Sequence, residues 1–172
     1  MTNYELEKCI KDYMNGNENG FVTMYNETRK LVFLSIYPII TDNDTIEDLM
    51  QDTYMKVIRN LDTYKFGTNF KAWISSISRN LALNEYKRRK SILNLDEIDS
   101  EIFTFDRDND SLIDKSLNLL NSDFKMRQIF IYKIIFNMNI RDIAKIMEMP
   151  KSTTYDIYKK AITIIKNNLE DF

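Results

Sequence analysis

The 172-residue chain has no His, one Cys (Cys9), three Gly and two Pro. Without His there is no imidazole base, proton shuttle or His-ligated metal centre. One Cys excludes an internal disulfide and a thiolate-rich zinc site. The longest apolar stretch, Leu31 to Ile40, is interrupted by Ser35 and Pro38 and is too short to span a bilayer. No basic segment followed by an apolar one opens the chain, so export is not expected and a soluble cytoplasmic protein is the default. No Gly-rich loop offers itself to a nucleotide phosphate. The expectation is a protein with no catalytic residue, metal or cofactor, and not an enzyme on its own. Its length suits one ordinary domain or two small ones.

What is present is charge, and it is segregated. The formal total is −2. Residues 1–55 carry a net −6, residues 56–90 a net +7, residues 94–114 a net −7 and residues 115–172 a net +4. Surface potential follows local charge within a Debye length of about 8–10 Å, so a near-neutral total does not exclude a nucleic-acid partner. Any one block could be a solvated helix face. Four blocks that coincide with changes in periodicity point to separate surfaces.

Helical periodicity runs through the chain, with no period-2 strand. Helices are predicted at Tyr4–Asn15, Phe21–Tyr37, Asp44–Leu61 and Phe70–Lys90, with Asp62–Asn69 as a loop. Residues Asn94–Asp114 lose periodicity and become acidic, and further helices follow at Ser111–Leu120, Phe124–Phe136, Ile140–Met147 and Lys151–Leu169. The expected fold is all-α: a helical domain over 1–92, an acidic linker over 93–111, and a helix-turn-helix domain over 112–172.

In the last of these, Ile143, Ala144 and Met147 share one face of a short helix, and Glu148-Met149-Pro150-Lys151 breaks it. The next helix turns Thr154, Ile157, Tyr158, Ala161, Ile164 and Ile165 inward. Ser152, Asp156, Lys159 and Lys160 lie opposite, with Thr153 and Tyr155 on the flanks. Hydroxyls and ammonium groups on such a helix suit phosphates and base edges in a major groove. An ordinary helical hairpin gives the same pattern.

In the first domain Ile46, Leu49, Thr53, Val57 and Leu61 form an inward row, while Asp44, Asp48, Gln51, Asp52 and Met55 line another face. An acidic face edged by Met suits a basic protein partner, and a solvated face is the plain alternative. On the fourth helix Phe70, Trp73, Ile74, Ile77 and Leu81 are expected inward. Ala72, Ser75, Arg79, Ala82 and Tyr86 are expected outward, before the run Lys87-Arg88-Arg89-Lys90. Tyr64, Lys65, Phe66 and Asn69 precede it, and aromatic, amide and cationic groups together suit unstacked bases.

The run EDLMQDTYMKVIRNLDTYKFGTNFKAWISSISRNLALNEYKRRK (47–90) resembles conserved region 2 of the sigma-70 family in its extracytoplasmic-function (ECF) form. Residues 127–169, RQIFIYKIIFNMNIRDIAKIMEMPKSTTYDIYKKAITIIKNNL, resemble region 4. The resemblance implies an RNA polymerase sigma factor whose partners are core polymerase (the β′ coiled coil and the β flap), promoter DNA and an anti-sigma factor, with no membrane insertion. It implies that Asp48, Gln51, Asp52 and Met55 meet polymerase. Tyr64, Lys65, Phe66, Asn69, Lys71, Arg79, Asn80, Lys87, Arg88, Arg89 and Lys90 are implied at the melted −10 element. Lys151, Ser152, Thr153, Tyr155, Asp156, Lys159 and Lys160 are implied at the −35 duplex. The chain departs from the family's usual pattern at Glu148, where Gly is common, at Pro150, where Ser or Thr is, and at Ile157, where a basic residue is. The alternative is a stand-alone helix-turn-helix regulator, which leaves the acidic face without a role.

Overall fold

Apolar residues at helical spacing, each run closed by a cap, build the protein. The computed structural model describes residues 1–93, 116–120 and 123–169, all helix and connecting turns, with no strand among them. The acidic stretch expected to be a linker lies outside the described residues, apart from its first position. Two compact units emerge, Met1–Lys87 and Arg88–Phe172.

In the first unit, α1 (Asn3–Met14) opens with a capping box in which Thr2 and Glu5 each bond the other's backbone N–H. Those bonds to the carboxylate, the Thr2 N–H foremost, hold the Glu5 pKa below its ordinary value. Helix α2 (Glu18–Ile36) starts at Asn17 and packs on α1, and α3 (Asn43–Arg59) starts at Asp42 and packs on α2. A 3₁₀ turn at Leu61–Thr63 and a loop lead to α4 (Phe70–Leu93).

Leu6, Ile10, Met24, Leu31, Val32, Ile36, Ile46, Val57, Phe70 and Ile74 are among the buried apolar residues of this unit. The buried Ser and Thr hydroxyls bond within their own helices. Thr28, Ser35 and Thr53 each donate at 2.7 Å to the carbonyl four residues back, and Ser75 does so at 2.8 Å. A ring cluster of Tyr13, Phe21, Tyr25 and Tyr54 joins α1, α2 and α3, with the Tyr25 and Tyr54 centroids 4.8 Å apart.

Helix α4 is rotated from its sequence expectation. Its buried row is Phe70, Ala72, Ile74, Ser75, Ser78, Arg79 and Ala82, while Trp73, Ile77 and Leu81 are only half-buried. Small side chains bury completely on the core side, and the bulky ones lie along its margin. Ala72, Ser75, Arg79 and Ala82, expected outward, are therefore inside.

In the second unit a helical turn at 116–119 precedes α5 (Phe124–Phe130), which Asp123 caps. The helix expected to run to Phe136 changes at Ile131–Ile135 into a π-helical turn, closed by the Phe136 N–H on the Ile131 carbonyl at 3.3 Å. Asn139 caps α6 (Ile140–Met147), and α7 (Lys151–Leu169) packs on both α5 and α6. Of the expected inward rows, Ile143, Ala144, Met147, Thr154, Ala161 and Ile165 are buried, with Ile146 beside them, while Ile157, Tyr158 and Ile164 are half-buried.

Candidate polymerase and nucleic-acid interfaces

Burial of Ile46, Leu49, Thr53 and Val57 decides which side of α3 faces water. Asp44, Asp48, Gln51, Asp52 and Met55 are all exposed, Met55 at 49%. Three carboxylates and a polarisable thioether on one open face can meet a cationic, partly apolar partner.

The loop between the 3₁₀ turn and α4 is built inward from Tyr64. That ring is 4% exposed and packs 5.1 Å from Phe70, 5.2 Å from Trp73 and 5.3 Å from Phe66, centroid to centroid. Its hydroxyl donates to the Glu7 carboxylate at 2.6 Å. Burial, reinforced by that carboxylate, raises the Tyr64 pKa. The Gly67 N–H also donates to Glu7, at 3.0 and 3.1 Å, and Gly67 takes φ +81°, a conformation that favours glycine. The Asn3 amide nitrogen donates to the Thr68 carbonyl at 2.6 Å, and the Phe70 N–H donates to Asn3 Oδ1 at 3.0 Å. The Lys11 ammonium lies 4.8 Å from the centre of the Phe66 ring.

Of the residues expected at unpaired bases, the structure leaves Lys65 exposed and Phe66 half-buried in the loop. Tyr64 is enclosed, and Asn69 caps α4 by accepting the Ala72 N–H at 3.2 Å. Arg79 is buried at 4% exposure, so its expected outward position is corrected. Lys71, Asn80 and Arg89 are half-buried, and Lys87, Arg88 and Lys90 are exposed along the end of α4. Sequence reasoning missed Asn3, Glu7 and Lys11. The one signal was Glu7, an acidic residue beside Leu6 and Ile10 on the inward side of α1.

On α7, Lys151, Ser152, Thr153, Tyr155, Asp156, Lys159 and Lys160 are all exposed, with the Lys159 ammonium 5.3 Å from the Tyr155 ring centre. Thr154 is turned in, its hydroxyl donating to the Pro150 carbonyl at 3.0 Å. The turn before α7 passes through Glu148 at φ 54°, ψ 45°, the left-handed conformation in which helices commonly place Gly. That backbone geometry gives a physical reason for the family's usual Gly there. Among the described residues no cluster suits a metal ion, and no helix is long and apolar enough to cross a membrane.

The chain is similar to known proteins over most of its length. Sigma-70 region 2 matches residues 24–92, which contain α3, the loop and α4. The ECF RNA polymerase sigma factor SigX of Bacillus subtilis is 19% identical over 170 residues, covering 89% of this chain and 85% of that protein. The ECF RNA polymerase sigma factor SigW of the same organism is 19% identical, covering 96% of this chain and 97% of its own. The fold resembles the sigma factor RpoE from Bartonella quintana, solved with the anti-sigma factor NepR, with a TM-score of 0.68, 20% identity, and 87% and 96% of the two chains covered. It also resembles CnrH, solved with the cytosolic domain of CnrY, with a TM-score of 0.65, 17% identity, and 95% and 96% covered. Residues 24–92 carry a sigma-70 region 2 domain, and over 89% of its length the chain is similar to a sigma factor of the ECF type.

Proposed function

We propose that this chain directs core RNA polymerase to promoters by three surfaces, and that it has no catalytic activity of its own. The exposed Asp48, Gln51, Asp52 and Met55 dock on the polymerase β′ coiled coil. Lys65 and Phe66, in a loop held by α1, take a base flipped out of the −10 element, while Lys71, Asn80 and the cations of 87–90 follow the strand. Exposed α7 residues read the −35 duplex, with Lys151, Lys159 and Lys160 on phosphates and Ser152, Thr153, Tyr155 and Asp156 at base edges. Flipping costs a few kcal/mol, and stacking returns about 1–3 kcal/mol per base, so a formed loop can trap an opened strand without nucleotide hydrolysis.

The observation that carries this reading is the pairing, within one unit matched by region 2, of an open acidic helix face with an aromatic–cationic loop. The domains divide the work as 1–92 for docking and melting and 112–172 for the −35 element. A cytoplasmic site of action goes with polymerase as partner. An anti-sigma factor is proposed by likeness to RpoE, which was solved with one.

Charge reversal tests the docking face. Asp48→Lys with Asp52→Lys is expected to weaken core-polymerase binding by at least tenfold in fluorescence anisotropy, with the circular dichroism spectrum unchanged, because both positions are exposed. Unchanged affinity would put the docking surface elsewhere.

A further inference from the structure

Asn3, Glu7 and Lys11 stand four residues apart on one row of α1, and each touches the loop that precedes α4. Asn3 holds Thr68 and Phe70, Glu7 holds Tyr64 and Gly67, and Lys11 covers Phe66. The row lies outside residues 24–92, to which region 2 matches.

Helix packing does not account for Glu7. It is only 7% exposed and sits beside Leu6 and Ile10, both fully buried, where an apolar side chain would complete the row. Burying a carboxylate is unfavourable unless donors surround it. The donors here are the Tyr64 hydroxyl, the Gly67 N–H and the Asn3 amide, two from the loop and one from the α1 residue that also accepts the Phe70 N–H. The carboxylate thus fixes the loop from inside and leaves its outer surface free of α1's bonds at Lys65.

We infer that α1 is a working part of the strand-capturing site, with Asn3, Glu7 and Lys11 as positioning residues that set the loop in the shape a flipped base requires. This rests on the reading of the loop given above. A loop that had to order itself on binding would spend much of the modest stacking energy on its own entropy. Held at both ends and at Gly67, it is formed before the strand arrives.

The test uses the full chain assembled with core polymerase on a duplex template carrying a transcript start mapped after overexpression of the chain. Strand opening is read by permanganate reactivity of non-template thymines, and core affinity is measured in parallel. Glu7→Ala is expected to lower opening about tenfold while core affinity stays within twofold. Glu7→Gln, which keeps one acceptor oxygen, is expected to recover most of it. If Glu7→Ala loses core binding through misfolding, Asn3→Ala, at a half-exposed position, carries the test with an expected loss of about threefold. Opening equal to the unsubstituted chain, or a loss matched by an equal loss of core affinity, overturns the inference. Phe66→Ala separates the two readings: normal opening there refutes strand capture by the loop itself. Loss of opening in Phe66→Ala with normal opening in the α1 variant refutes the positioning role alone.

Discussion

Gly20 lies against the backbone of Cys9: a Cβ at position 20 would overlap the Cys9 carbonyl oxygen and stand 2.7 Å from the Tyr13 nitrogen. Helices α1 and α2 meet at this point, so the absence of a side chain sets how closely they approach. The grip of α1 on the loop depends on that seat.

Gly20→Ala is expected to destabilise the first unit by about 3 kcal/mol, since the contacted atoms are backbone and cannot swing aside. Urea unfolding followed by fluorescence of Trp73, the one tryptophan, measures it. A change under 0.5 kcal/mol, on the order of an ordinary surface substitution, would mean that the helices slide apart without cost.

Tyr54 ties α3 to α2 through a 3.0 Å contact between its hydroxyl and that of Thr28, and burial pushes its pKa up to about 12 from an ordinary 10.0. The raised pKa means that folding favours the neutral phenol. This contribution is complete below the unfolded value and is lost as pH rises from about 10 through about 12. The raised Tyr64 pKa acts in the same direction. Thermal melting across this range is expected to fall for the natural chain and to fall less steeply for Tyr54→Phe. At neutral pH, Tyr54→Phe is expected to lose about 1 kcal/mol with the hydroxyl contact.

Glu148 occupies the left-handed region at the turn before α7. Glu148→Gly is expected to raise stability by about 0.5–1 kcal/mol in chemical denaturation, because relief of the backbone outweighs the added freedom of the unfolded chain. A loss would show that the Glu148 side chain contributes more than its backbone costs.

Lys87 and Lys90 are exposed at the end of α4. If both meet phosphates, replacing both with Gln is expected to lower the slope of log affinity against log salt by about 0.7–0.9 per contact in promoter-complex formation. An unchanged slope would assign these cations to the solvated end of the helix.

The parts legible in the sequence are those written in local spacing. The inward row of α3, the bounds of α6 and the exposed row of α7 follow from apolar periodicity, and the structure buries the same residues. Helix α4 departs from its expected register because small residues, Ala72, Ser75, Ser78 and Ala82, bury on its core side, the two Ser hydroxyls bonding within their own helix. The π-helical turn at Ile131–Ile135 leaves no mark in periodicity, because its residues are apolar in either register. The bond from Tyr64 to Glu7 crosses 57 positions, and nothing in the pattern around either residue announces it. Its result is that a tyrosine expected to stack on a base is part of the support beneath the loop.

Run-off transcription with purified core polymerase on genomic template fragments tests the central claim most directly. The account predicts discrete, promoter-dependent transcripts when the full chain is added to core, none with core alone, and their loss with Asp48→Lys and Asp52→Lys. A chain that binds core polymerase yet yields no promoter-dependent transcript on any fragment would contradict it.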